Sequence, residues 1–586
     1  MSHSRFPRVF VLTSLLLCFL VTYTTLYLYH RVPASYSISN PQATPLKDSD
    51  IVLEGAGVIQ NIDGHVFPPA PVATADKGAA PVSTDVPAVP PPETLSHTGG
   101  PEDGSHGLDQ KLPSELTDAA GPPVQVPQIL GGPPEGDSQG QQIVLLPDPK
   151  ECPSDMAFLV RASVQLGLTE RVRYSRRRIR PVFSNQIDRD EVVNITEPLV
   201  QNDVEVDLWD CWDADIVESP PIKLHVPKPY AEESFAHLIF GVATEYNRLK
   251  ESISTSAHWL SGTDAQLVAV VADASQRMPG EMEQLEQAFA EAGVNASLVR
   301  PIDDAYTTSQ NHFTVLVDML ERGSPETQWY GLLDDDTFFP SLTPLSNALA
   351  AVDHTTDAYV GTLSEDFNAI RTFGFMAYGG AGAYLSPPLA KKLGDQSRRC
   401  IEEAKSVEGD IIIRDCVYTN SRAKLTILPG LYQQDMKVDA SGFFEAGLRP
   451  LNLHHWKSWY SEPVDKMAAA AKFCGDCFLQ RWRFGTDTVL SNGYSIATYR
   501  DGVDTVDLQT VEGTWMSMVW NTGYVQEYDF SIGPLRQPYG PGEKRSYKLM
   551  DVEFTERGPL KQLYVLAGNP EAGELDEVVE LIWEKQ

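Results

Sequence analysis

From residue 237 onward, short apolar runs alternate with stretches that carry apolar residues at helical spacing. Residues 237–244 (HLIFGVAT) form an apolar run of buried-strand length, and 245–260 read as helix. Residues 266–273 (QLVAVVAD) predict a second strand ending in an acid, and 281–292 (EMEQLEQAFAEA) and 312–321 predict helices. The next apolar run, Trp329 to Leu333, stops abruptly at Asp334, Asp335 and Asp336. Strand, helix, strand, helix, helix, strand is the alternation of a parallel α/β sheet. Beyond Pro340, Ser341 or Thr343 caps a helix with Pro344 at its first position. Residues 358–362 predict another strand, and Ser386 with Pro387 another helix start. After residue 490 the pattern changes to short β-prone segments between turns (YSIAT, TWMSMVW, YVQEYDF, LYVLAG), which predicts a small β-rich C-terminal appendage over 491–586.

The first 148 residues have a different character. Residues 9–29 are uncharged and long enough to cross a bilayer as one helix, with Arg5 and Arg8 before them. The expected layout is a cytosolic tail (1–8), a transmembrane signal anchor (9–29) and a lumenal remainder. Residues 30–148, rich in Pro, Ala and Gly, bury too little to offset chain entropy and read as a disordered stem. The folded catalytic candidate then spans 149–490. A net charge of −34 argues against a nucleic-acid binder, which needs a basic surface. The arginine-rich stretch 171–178 reads first as a solvated face or a partner of nearby acids rather than a site for an anion. Apart from Cys18, the six cysteines permit up to three disulfides in an oxidising lumen, and Cys474 with Cys477 reads as a local disulfide. Asn194-Ile195-Thr196 and Asn295-Ala296-Ser297 are glycosylation sequons suited to that compartment.

Three acids at the end of a buried strand supply hard oxygen ligands for Mn²⁺ or Mg²⁺, and a solvated acidic turn is the plain alternative. Asp273, at another strand end, is either a nucleotide contact or a helix-capping acid. Gly379, Gly380 and Gly382 permit close backbone approach to a ligand, or make a glycine bend in a strand. Asp410 heads an apolar run, as a helix cap or a catalytic carboxylate does. His454 and His455 form a doublet. On a strand its members face opposite ways, so at most one is expected to reach a given metal.

The ordered set Asp334-Asp335-Asp336, Gly379-Gly380-Ala381-Gly382, Glu408-Gly409-Asp410 and His454-His455 resembles glycosyltransferase family 31. It is similar to the Fringe β1,3-N-acetylglucosaminyltransferases. It is more similar to Fringe-related plant and fungal proteins, through Gln434-Asp435, Gly442 and residues 449–456 (RPLNLHHW). The resemblance covers about residues 237–459 and implies a GT-A fold, a UDP-sugar donor, Mn²⁺ and inversion at the anomeric carbon. It implies Asp336 as a metal ligand, Asp334 and Asp335 as support for nucleotide and metal, and His454 or His455 completing the metal site. Asp410 matches the catalytic base, with Asp415 as the alternative because this chain reads Glu-Gly-Asp where Fringe reads Pro-Asp-Asp. The expected product is a Golgi type II membrane glycosyltransferase acting on a glycan or glycoprotein. A non-catalytic lumenal carbohydrate-binding protein of the same fold is the other reading.

Overall fold

A computed structural model describes residues 152–211, 216–519, 528–555 and 558–585. The tail, anchor and stem expected over 1–148 lie outside the described residues, among which no helix is long and apolar enough to cross a membrane.

A seven-stranded sheet carries the α/β alternation. Its strands are β1 (Leu238–Thr244), β2 (Gln266–Val271), β3 (Asn295–Val299), β4 (Trp329–Leu332), β5 (Tyr359–Gly361), β6 (Ala383–Leu385) and β7 (Leu425–Ile427). They lie in the order β7-β5-β6-β4-β1-β2-β3, all parallel to their neighbours except β6, which runs antiparallel to β4 and β5. The chain moves outward from β1 through β2 to β3, then returns to place β4 on the other side of β1. That reversal leaves a crevice at the carboxyl ends of β1 and β4, where open α/β sheets collect ligands.

Helices that accompany this sheet include α1 (Tyr246–Glu251), α2 (Ile253–Leu260), α3 (Glu281–Glu291), α4 (Thr308–Arg322), α5 (Leu342–Leu349), α6 (Pro387–Asp395) and α7 (Gly409–Asn420). The helix expected over 245–260 is two helices meeting at Ser252. Helix α4 begins in a capping box, with Thr307 and Gln310 satisfying each other's exposed donors. It presses so closely on β1 that a Cβ on Gly241 would meet Met319 Sδ at 2.3 Å. Ser341, one of the two candidates, caps α5, so Pro344 stands third in the helix rather than first. Strand β3 begins at the glycosylation sequon and its apolar pattern is weak; its pairing with β2 supplies the order.

The C-terminal strands do not form a separate appendage. A ten-stranded sheet runs Val193–Ile195, Arg481–Phe484, Thr488–Ser491, Ser495–Tyr499, Lys544–Phe554, Leu560–Leu566, Asp576–Trp583, Arg171–Phe183, Val204–Asp207, with Ile222–Val226 also on Arg171–Phe183. It crosses the boundary expected at residue 490 and joins the two ends of the described chain, Val172 pairing with Asp576 and Ile179 with Trp583. Both sheets share one buried apolar cluster, which includes Phe240, Trp259 and Phe339 from the first and Trp482, Tyr564 and Trp583 from the second.

The arginines of Arg171–Phe183 face acids: Arg176 meets Glu580 and Asp155 at 2.8 Å, Arg177 meets Glu197 at 2.8 Å, and Arg178 meets Glu218 at 2.9 Å. Three disulfides join Cys152 to Cys211, Cys400 to Cys416 and Cys474 to Cys477. Asn194 and Asn295 are exposed.

Candidate active site

The crevice between β1 and β4 opens into a cavity of about 460 Å³, lined by the three aspartates and, among others, by His312, Asp410, His454 and His455. Each side chain is placed by a local device. Strand β4 ends at Leu332, so the chain leaves the sheet directly into Asp334, Asp335 and Asp336. Because β6 runs antiparallel to β4, its approach, Gly379 to Gly382, lies beside that same end, and Asp334 N donates to Gly379 O at 3.1 Å. Phe338 and Leu453 exchange both backbone hydrogen bonds, at 2.8 and 2.7 Å, and this isolated bridge brings the histidine doublet to Asp336.

His454 is 2% exposed, and its Nε2 lies 3.1 Å from Asp336 Oδ1 and 3.4 Å from Asp334 Oδ2. Its Nδ1 lies 2.6 Å from Gln433 O, a carbonyl that can only accept, so Nδ1 carries a proton. In the neutral ring the lone pair therefore sits on Nε2 and faces the carboxylates, the orientation a metal-ligating histidine takes. Burial opposes the charge on His454, but Asp336 and Asp334 overcome it and raise its pKa well above the usual imidazole range. Burial likewise works to raise the pKa of Asp336, yet His454 holds it well below the usual carboxylate range.

His455 does not lie on a strand. Its φ of 57° turns the chain back, so its ring stacks on Trp459 (centroids 3.4 Å apart, 14° between planes) and sits 3.7 Å from the His454 ring. The two rings therefore share a side, contrary to the alternation expected of a strand. One nitrogen from each ring and a carboxylate oxygen of Asp336 lie within 4.8 Å of one another. His455 Nε2 lies 3.4 Å from Asp435 Oδ1, and burial followed by the charge of His454 lowers its pKa.

The donor set fits a divalent cation. One buried carboxylate and two imidazoles converge, and the tautomer of His454 is fixed by a backbone carbonyl. The glycines complete the cradle. A Cβ on Gly380 would meet His454 ring atoms at 2.1 Å, and one on Gly379 would meet Asp334 Oδ1 at 2.5 Å and Asp410 Oδ1 at 2.8 Å. Gly382 takes a φ of +91°, and its Cβ would strike Tyr384.

Asp410 stands in the first turn of α7 and accepts from Gly379 N at 2.8 Å through Oδ2. Its side chain keeps 20% exposure. Burial raises its pKa; His312 counteracts this and Asp334 adds to it. A cavity carboxylate of raised basicity suits proton abstraction. The alternative, Asp415, lies outside the cavity lining and pairs with Arg414 at 2.8 Å.

Two of the acids are held by the chain itself. Arg248 donates to both oxygens of Asp335 at 2.6 Å, and Thr244 Oγ1 donates to Asp335 Oδ2, tying the ends of β1 and β4 together. Asp335 still lines the cavity. Asp273 does not: it accepts from Tyr246 N at 2.9 Å and from Arg277, and makes no side-chain capping bond in the turn it opens. Trp459 lines the cavity, whereas Trp456 packs edge-on to Phe338 and Tyr460 donates to His454 O.

Some contributors were not legible in sequence. His312 sits at an ordinary core position of α4 yet points at Asp410. Glu365 is buried beneath the histidine turn and accepts from Gln433 N and Gln434 N at 2.8 and 2.9 Å. Gln434, at φ 58°, accepts from His454 N through its side chain. Gly442 is explained by packing, since a Cβ there would meet Glu512 O at 1.7 Å.

The family described as "Protein of unknown function, DUF604" matches residues 368–565, about a third of the chain. No curated protein matches the chain. Among solved structures, a mannosyltransferase, PcManGT from Pyrobaculum calidifontis in complex with GDP-Man and Mn²⁺, is similar at 12% identity and a TM-score of 0.23. That match covers 36% of this chain and 60% of that one, less than two thirds of its length. Mouse xyloside xylosyltransferase 1 in its apo form is similar at 12% identity and TM-score 0.23, over 33% of this chain and 85% of that one. The glycosyltransferase GlyE of Streptococcus pneumoniae TIGR4 is similar at 15% identity and TM-score 0.22, over 32% and 45%.

Proposed function

We propose that the chain is an inverting, metal-dependent glycosyltransferase of GT-A architecture that moves a hexose or N-acetylhexosamine from a UDP-sugar to a glycan or glycoprotein, in β1,3 linkage. One observation carries the reading: a triad whose ligand-type atoms are close enough to hold a cation (Asp336, His454, His455) and a separate carboxylate of raised pKa (Asp410) line one cavity at the switch point of an α/β sheet. The order of these residues along the chain and their resemblance to family 31 add to it.

Asp336, His454 and His455 would hold Mn²⁺ or Mg²⁺. When bound, that cation supplies Lewis-acid stabilisation of the departing diphosphate. The chain's own residues do the rest. Gly379 N–H fixes Oδ2 of Asp410 and so orients the carboxylate in the cavity. The acceptor hydroxyl attacks the anomeric carbon from the side opposite the diphosphate. A new carbon–oxygen bond forms, the bond to UDP breaks with its electron pair on UDP, and the hydroxyl proton passes to Asp410. General-base help of this kind contributes about 10²–10⁴-fold. The glycine turn lies outside the cavity lining and makes room for His454, Asp334 and Asp410 rather than for a ligand, and Trp459 offers an aromatic wall.

The proposed setting is the Golgi lumen, with the chain held by the apolar segment at 9–29 and the stem at 30–148. Three disulfides and two exposed sequons support an oxidising, glycosylating compartment. A panel of UDP-sugars, each with Mn²⁺ or with chelator and with a mixed-glycan acceptor, tests the activity. Mn²⁺-dependent UDP release that rises with acceptor is expected for one donor. No release from any donor by folded protein overturns the reading.

A further inference from the structure

One oxygen of Asp410 faces a histidine that no motif announces. Asp410's two oxygens have different surroundings: Oδ2 takes the Gly379 N–H, whereas Oδ1 faces His312 Nε2 at 3.5 Å. His312 is 7% exposed, lines the cavity and, among the described residues, offers Nε2 no hydrogen-bond partner. An imidazole nitrogen buried without a partner is costly unless something is to meet it. The approach of the two helices is built in. A Cβ on Gly409 would meet His312 Cδ2 and Ser309 O at 2.8 Å, so only glycine lets the start of α7 close on α4. With Asp334, the pair forms a second cluster whose ligand-type atoms lie within 4.8 Å of one another.

We propose that His312 is the positioning residue for Asp410, holding Oδ1 through Nε2 so that the base meets the acceptor hydroxyl as a carboxylate. This rests on the reading of Asp410 as the base. Catalytic hydrogen bonds commonly tighten only in the reacting complex, and 3.5 Å leaves this pair within reach of one. Burial drives the Asp410 pKa up, and His312, with the Gly379 N–H after it, opposes the rise. Among the described residues Asp334, Tyr359 and Tyr378 also feel Asp410, while Arg414, one turn on in α7, turns to Asp415 and Phe373 O.

Two variants test the proposal: H312M removes the nitrogen and H312Q keeps a nitrogen donor near the same place. UDP–Mn²⁺ affinity, read by calorimetry, is expected within about twofold of wild type in both, because His312 touches neither Asp336 nor His454. The kcat for transfer is expected to fall about 10–100-fold in H312M and to recover at least several-fold in H312Q. In parallel, carbodiimide labelling of Asp410, which requires the protonated acid, is followed against pH by mass spectrometry. Its midpoint is expected to move up by about half a unit or more in either variant. H312Q alone suffices for the labelling if H312M does not fold. If wild type turns over no donor, the proposed function fails while the labelling still decides the pairing. An unchanged midpoint, or kcat retained within twofold in folded H312M, overturns the role of His312. So does a loss that merely tracks weaker UDP–Mn²⁺ binding.

Discussion

At the scale of single residues, the site depends on missing atoms as much as on present ones. Gly380 has no Cβ because His454 occupies that space, with ring atoms 2.1 Å from where a Cβ would stand. The residue cannot back away, since Thr337 Oγ1 and Asn452 Nδ2 both hold its carbonyl, at 3.1 and 2.9 Å. The imidazole must therefore move if Gly380 becomes alanine. Gly380→Ala is expected to weaken Mn²⁺ binding by about tenfold or more, read by calorimetry, while circular dichroism stays that of the folded protein. Unchanged affinity would mean that the His454 ring does not depend on the glycine. The three aspartates were legible because an apolar run ends on them. The side chain each finds was not. Asp335 is claimed by Arg248, and His455 shares a side with His454 only because its backbone turns through positive φ.

At the scale of elements, the histidine turn is held from below by Glu365. Burial, then the charge of Asp435, raises its pKa to about 8, against an ordinary value of 4.5. The sign follows from proton counting. Between those two values the folded state keeps a proton that the unfolded chain has released. The resulting stabilisation is full below about pH 4.5 and is lost as pH rises through about 8. Melting temperature should therefore fall between pH 6 and pH 8.5, and Glu365→Gln should flatten that fall. An identical slope in the variant would show that Glu365 does not carry it. The α/β alternation was readable because strands and helices of ordinary length each present one apolar pattern. His312 was not readable, because a histidine within a helix follows the same pattern whether it packs or acts. Its role exists only where α4 meets α7, and that meeting depends on Gly409 rather than on anything periodic.

At the scale of the whole molecule, the sheet with the site and the ten-stranded sheet share one core, and in the latter Asp576–Trp583 lies between Leu560–Leu566 and Arg171–Phe183. This was hidden in sequence because Arg171–Phe183 finds its parallel partner, Asp576–Trp583, about four hundred residues later, and no local pattern encodes so distant a register. Trp583 is fully buried and donates to Gln562 Oε1 at 2.7 Å. Trp583→Ala should cost about 3–5 kcal/mol in urea unfolding. A cost under 1 kcal/mol would mean that the terminal strand is peripheral. The central claim assigns cation binding and proton removal to different residues of one cavity, so the most direct measurement separates them. Calorimetry of UDP with Mn²⁺ and transfer kinetics are compared for Asp336→Ala and Asp410→Ala. Asp336→Ala should lose Mn²⁺-dependent UDP binding and transfer together, whereas Asp410→Ala should bind UDP–Mn²⁺ within about threefold of wild type and lose about 10²-fold or more in transfer. Full transfer by either folded variant would contradict the account.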